Sequence, residues 1–168
     1  MKNNIVLIGM PGVGKSTAGV ILAKILGYQF IDTDIIIQQQ EGKLLRDIIS
    51  ENGIDGFLET EDRIVSTISA RHSVIATGGS VVYGSRAMEH LREIGVIVYL
   101  SLDYRKLRYR LGNISSRGVV IREGQTLAQL YNERSALYEK YADITIDENG
   151  CNIERTVGKI LDSIGRDL

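Results

Sequence analysis

The segment that most restricts what this chain can fold into is Gly9–Thr17, GMPGVGKST, because of what stands on either side of it. Before it, Asn4–Ile8 is apolar on both faces of an extended chain, the pattern of a strand buried inside a parallel sheet. After it, Lys15–Leu26 reads as a helix ended by Gly27. Between a buried strand and a helix, the spacing G-x-x-x-x-G-K-S has a physical meaning. Glycines let the backbone turn so that successive N–H groups face one phosphate, and the positive end of the helix adds to that field. Gly12, Val13, Gly14, Lys15, Ser16 and Thr17 are therefore expected to hold the phosphates of a nucleotide. Lys15 reaches the β- and γ-phosphates, and Ser16 ligates Mg²⁺.

The rest of the chain repeats the alternation that begins there. Further strands are expected at Tyr28–Ile31, Ser73–Ala76, Val96–Leu100 and Ile144–Ile146. Helices are expected at Asp34–Gln40, Leu44–Ser50, Ile54–Arg71, Arg86–Glu93, Tyr104–Leu111, Thr126–Tyr141 and Ile153–Ile164. Strands alternating with helices imply an α/β fold of three layers, α/β/α, around a five-stranded parallel sheet. No repeat, linker or low-complexity tract interrupts it, so residues 1–168 are expected to form one domain. In such sheets ligands sit at the carboxyl ends of strands. Gly9–Thr17, Asp32–Asp34 and Thr77–Ser80 all fall there, which argues for one shared site.

Composition excludes several other classes. A formal net charge of −1 gives no bulk field for nucleic acid or an anionic membrane. The single cysteine, Cys151, cannot close an internal disulfide. No apolar run approaches the ~20 residues that span a bilayer, and the short run Ile5–Ile8 is no secretory signal. A cytoplasmic protein is expected, a monomer acting on a small molecule. His72 and His90 have no metal-ligand spacing and are expected at the surface. Arg105, Lys106 and Arg108 are expected on a solvated helix face.

Asp32-Thr33-Asp34 adds the chemistry that a phosphate cradle lacks. Transfer to a hydroxyl needs the acceptor oriented, its proton accepted, and Mg²⁺ held near the phosphates. Asp34 is assigned to the acceptor hydroxyl and Asp32 to the metal. Gly112–Gly124, with its glycines, serines, Arg117 and Arg122, is short of apolar anchors. It is expected to be a mobile lid that excludes water on closure.

Taken in order, these residues resemble the shikimate kinase family over nearly the whole chain. GMPGVGKST resembles its phosphate loop and Asp32-Thr33-Asp34 its D-[ST]-D. Phe57 and Glu61 match its G-E-x-x-F-R-x-x-E segment, and Thr77-Gly78-Gly79 resembles its T-G-G-G loop. Val98-Tyr99-Leu100 matches a family strand, and Arg134, Leu137, Tyr138, Ala142 and Asp143 match a late segment. The family phosphorylates the 3-hydroxyl of shikimate with MgATP. The resemblance implies that Asp34, Phe57, Glu61, Gly78, Gly79 and Arg134 bind the acceptor, within helices spanning about residues 34–62 and the loops near them. Gly78 and Gly79 would offer backbone N–H groups, and Arg134 would bind the carboxylate. Arg117 would close on the phosphates as part of the catalytic set with Lys15 and Asp34, and Arg110 and Ile153 would enclose the adenine.

The chain leaves the family pattern on the acceptor side. Leu58 stands where the family has an arginine, Ser80 replaces the third glycine, and Arg117-Gly118-Val119-Val120 lacks the lid proline. Glu61 thereby loses its usual arginine neighbour; Arg63, Arg71 or solvent is expected to answer it, the alternative being an amine on the acceptor. Shikimate is the expected acceptor. The alternatives are another hydroxy acid or an amino acid such as homoserine, or a nucleotide-binding regulator with little transfer activity.

Overall fold

The structure is a computed structural model, which describes residues 2–112 and 119–165. Five strands, β1 (Asn4–Ile8), β2 (Gln29–Asp32), β3 (Ser73–Ala76), β4 (Gly95–Ser101) and β5 (Ile144–Asp147), form one sheet in the order β2-β3-β1-β4-β5. All pairings are parallel, with Leu7 opposite Ala76 on one side of β1 and opposite Val98 on the other. The helices are α1 (Lys15–Leu26), α2 (Thr33–Glu41), α3 (Leu45–Val65), α4 (Ser85–Ile94), α5 (Tyr104–Leu111), α6 (Leu127–Tyr141) and α7 (Ile153–Ile164). A single 3₁₀ turn, Val81–Tyr83, is added after β3.

The expected three-layer α/β fold is therefore observed, and β1 is its centre. Ile5, Val6, Leu7 and Ile8 are fully buried, as a strand covered on both faces requires. The central position of β1 also makes it the switch point, with β3 on one side and β4 on the other. Because β2, β3 and β1 are neighbours, the three segments that follow them open onto one side of the sheet edge.

One helix expectation is met and one needs correction. The expected break between Leu44–Ser50 and Ile54–Arg71 is observed: α3 consists of two helical segments that meet at a kink, where Gly53 adopts the non-helical φ 69° and ψ 178°. That conformation is open to glycine at little cost, so the first segment ends there and the second begins at Ile54. The same element stops at Val65 rather than Arg71. The Ser66 and Thr67 hydroxyls donate to the carbonyls of Arg63 and Ile64, satisfying the last turn locally.

Candidate active site

The phosphate loop leaves β1 and enters α1 through Gly14, whose φ of 99° only glycine adopts readily. Lys15 is buried, and its ammonium donates to the carbonyls of Gly9 at 2.7 Å and Met10 at 2.9 Å. Two of its three donors are thus committed to the loop, leaving one for a ligand. Burial lowers its pKa to about 8, against the opposing pull of Asp34. Ser16 Oγ donates to Asp32 Oδ2 at 3.1 Å. Asp32 also caps α2, its Oδ1 accepting from the N–H of Asp34 at 3.0 Å. This cap and the metal role expected of Asp32 are compatible, since each uses a different oxygen. The hydroxyl and carboxylate together offer the sparse oxygen set that suits Mg²⁺, which takes the rest of its shell from phosphates and water.

A cavity of about 400 Å³ runs from this loop to the acceptor residues, lined by Lys15, Ser16, Asp34, Phe57, Gly78, Gly79, Ser80 and Arg134. Asp34 stands in its wall with a pKa raised to about 6, first by burial and then by Asp32. Gly78 and Gly79 are glycines because of what they pass. A Cβ on Gly78 would lie 2.8 Å from both Asp34 Oδ1 and Glu61 Oε1. A Cβ on Gly79 would lie 2.7 Å from Pro11 Cδ and 3.1 Å from Arg134 Nη1. Of the two N–H groups expected to face the acceptor, that of Gly78 donates to Thr33 Oγ1 at 3.3 Å, while that of Gly79 has no partner among the described residues.

Arg134 is 1% exposed, yet it forms no ion pair among the described residues. Its Nη2 donates to the carbonyl of Val120 at 2.7 Å, and its guanidinium lies 5.4 Å from the ring centroid of Tyr83. Tyr138, one turn on, donates to the carbonyl of Gly79 at 2.6 Å and so ties the glycine loop to α6. Leu58 does not line this cavity; it lines a small separate one together with Tyr83, Val120 and Arg134.

Glu61 corrects another expectation. It is 1% exposed and pairs neither with Arg63, which meets Glu41, nor with solvent. Its partner is Ser80, whose hydroxyl donates to Oε2 at 2.7 Å. Oε1 has no partner among the described residues, and burial raises the Glu61 pKa to about 7.

The nucleotide end holds a second cavity, lined by Val13, Gly14, Thr17, Arg110, Glu148 and Ile153. Arg110 and Ile153 are thus brought together as expected. Glu148, buried there with one oxygen 4.0 Å from Arg110, was not foreseen; a lone acid after a short strand gives no sequence signal. Arg105, Lys106 and Arg108 are exposed, as a solvated face requires. His72 is exposed as well, but His90 is half-buried, its Nε2 lying 2.7 Å from the carbonyl of Ile68. Arg117 lies outside the described residues. In the described part of the lid segment the expected lack of anchors is not found: Val119, Val120 and Ile121 pack on the core, and Arg122 pairs with Asp55 at 2.6 Å.

The family described as shikimate kinase matches residues 11–165. A shikimate kinase from Rippkaea orientalis is 39% identical over 165 residues, covering 96% of this chain and 87% of its own. The chain belongs to the shikimate kinase family. A second member, from Chlorobium chlorochromatii, is 35% identical over 173 residues, covering 96% of this chain and 90% of its own. Among solved structures, shikimate kinase from Acinetobacter baumannii in complex with shikimate superposes with a TM-score of 0.87 at 30% identity. It covers 99% of this chain and 95% of its own. The Aquifex aeolicus shikimate kinase does so with a TM-score of 0.82 at 28% identity, covering 98% and 97%. Membership of the family carries ATP-dependent kinase chemistry, and it leaves open how this member manages without an arginine at position 58.

Proposed function

We propose that the protein transfers the γ-phosphate of ATP to a ring hydroxyl of shikimate, releasing ADP and shikimate 3-phosphate. The observation that carries this reading is Arg134, a buried guanidinium without a carboxylate partner among the described residues, facing the same cavity as Lys15 and Asp34. An unanswered buried charge is costly unless a ligand answers it. A carboxylate on a compact hydroxylated acid does so, and it places the far side of the ring at Asp34.

In this reading Asp34 accepts the proton as the acceptor oxygen forms its bond to the γ-phosphorus and the bond to the bridging oxygen of ADP breaks. The free N–H of Lys15, the phosphate-loop backbone and the α1 N-terminus bear the charge that moves onto the β-phosphate. Ser16 and Asp32 hold Mg²⁺, which neutralises the β- and γ-oxygens when bound. Arg110 and Ile153 enclose the adenine, and Arg117 closes on the phosphates from the lid at residues 112–124. Gly79 and Arg134 hold the acceptor against Phe57.

One chain supplies every residue assigned, which supports a monomer and a single domain. Dependence on ATP and the near-neutral charge support a cytoplasmic setting; no helix among the described residues is long and apolar enough to cross a membrane. The test is ADP release coupled to acceptor, with shikimate, homoserine and other hydroxy acids offered in parallel. Shikimate-dependent release that disappears in Lys15→Met, with an unchanged circular dichroism spectrum, is the expected result. Turnover of another acceptor in preference to shikimate, or undiminished activity in Lys15→Met, overturns the reading.

A further inference from the structure

Position 80 is where the chain departs from the family's glycine loop, and the added side chain is not idle. Ser80 lines the acceptor cavity beside Gly79 and Arg134, yet it is only 4% exposed. Its hydroxyl proton is donated to Glu61 Oε2 at 2.7 Å. A hydroxyl has one proton and two lone pairs, and while that proton is donated to Glu61 only the lone pairs are left for another partner. What Ser80 keeps for the cavity is therefore acceptor capacity. A glycine at this place would present no side-chain group at all.

Glu61 is built to hold the rotor in that state. It is 1% exposed on α3, and no cation pairs with it among the described residues. Its free oxygen, Oε1, is buried beside Gly78, at the same 2.8 Å from the Gly78 Cβ position as Asp34 Oδ1. With Asp34 ionised, Oε1 has a like charge close by. Oε2 gains from the Ser80 proton what its surroundings otherwise deny it.

We propose that Ser80 is a specificity-determining residue whose Oγ, oriented by Glu61, accepts a hydrogen bond from a non-reacting ring hydroxyl of the acceptor. The inference rests on the reading of this cavity as the site of shikimate phosphorylation. Glu61 acts through Ser80 and is a positioning residue. The contact selects a polyhydroxylated ring acid, because an acceptor-only wall rewards O–H donors and repels a carbonyl or ether oxygen in the same place. It also adds grip at the hydroxyl end of a ligand whose carboxylate end has lost one guanidinium.

The test is steady-state kinetics of wild type, Ser80→Ala and Ser80→Gly with shikimate and with two analogues, each lacking one of the non-reacting hydroxyls. A neutral hydrogen bond of about 1 kcal/mol corresponds to roughly a fivefold rise in KM. That rise is expected for shikimate in both variants, with kcat and the KM for ATP within about twofold. On the analogue that lacks the hydroxyl read by Ser80, the variants and wild type should have equal KM. A penalty of the same size on shikimate and both analogues, or none on any, overturns the role of Ser80 and leaves the enzyme a shikimate kinase. A wild type that leaves shikimate unphosphorylated overturns the functional reading, and this inference with it.

Discussion

Replacing Glu61 with glutamine removes one titration from the interior of the molecule, and the structure sets the sign and size of the effect. Burial raises the Glu61 pKa from 4.5 to about 7, opposed by the Ser80 hydrogen bond and by Arg134. The folded protein therefore holds this proton at pH values where the unfolded chain has released it. Stability must fall as the pH rises from 4.5 to about 7, since the native state binds more protons throughout that window. At about 1.4 kcal/mol per pH unit, the loss from this one residue is about 3 kcal/mol. Because the side chain is almost wholly buried, solvent screening takes little from it. Glutamine keeps an oxygen for Ser80 and turns an amide towards Asp34, so the local packing survives. Thermal unfolding of both proteins by circular dichroism across pH 4.5 to above 7 reads the difference. The variant should match wild type at the acid end and exceed it above pH 7, by roughly 6–12 °C at 2–4 °C per kcal/mol. Parallel melting curves across the whole range would refute the placement of an ionisable, unanswered carboxylate at this site.

Asp34 has a pKa raised to about 6, so kcat/KM should fall as the pH drops below that value and the proton-accepting form is lost. Asp34→Asn should lower kcat by a factor of 10² or more and erase that acid limb, which a pH–rate profile with shikimate would reveal. Leu58→Arg should lower the KM for shikimate by roughly ten- to a hundredfold, the worth of a charge-assisted contact of about 1.5–3 kcal/mol. An unchanged KM in that variant would mean that a side chain from position 58, which does not line the cavity, does not reach the carboxylate.

The donor half of the site was legible because its residues are consecutive. A phosphate loop is read from nine positions and their flanking strand and helix, and each of Gly12–Thr17 lies where the motif places it. The acceptor half of the proposed site is assembled from α2, α3, the loop after β3 and α6, so its residues were expected from resemblance alone and their contacts could not be read. Nothing in the sequence couples Ser80 to Glu61, nineteen positions apart. Nor does local pattern show that Val120, in a segment rich in glycine and serine, would reach back to Arg134 with its carbonyl. One helix limit failed for a similar reason. The end of α3 at Val65 rather than Arg71 goes with side-chain bonds from Ser66 and Thr67 to the last-turn carbonyls, a local competition that apolar periodicity does not show.

The two departures on the acceptor side are best understood as one change. An arginine at position 58 would give Glu61 an ion-pair partner; with leucine there it is a buried acid that forms no ion pair among the described residues. Were position 80 still glycine, both carboxylate oxygens of Glu61 would lack a partner, at about 1–3 kcal/mol for each unsatisfied group. Ser80 answers one of them with its only hydroxyl proton, so that the hydroxyl keeps acceptor capacity alone. The substitution that stabilises the acid also rewrites the cavity wall. With shikimate as the proposed acceptor, recognition would shift from two guanidiniums on a carboxylate towards one guanidinium and a hydroxyl-reading serine. The donor side, where Lys15 and the loop that holds it are unaltered, is untouched by the exchange.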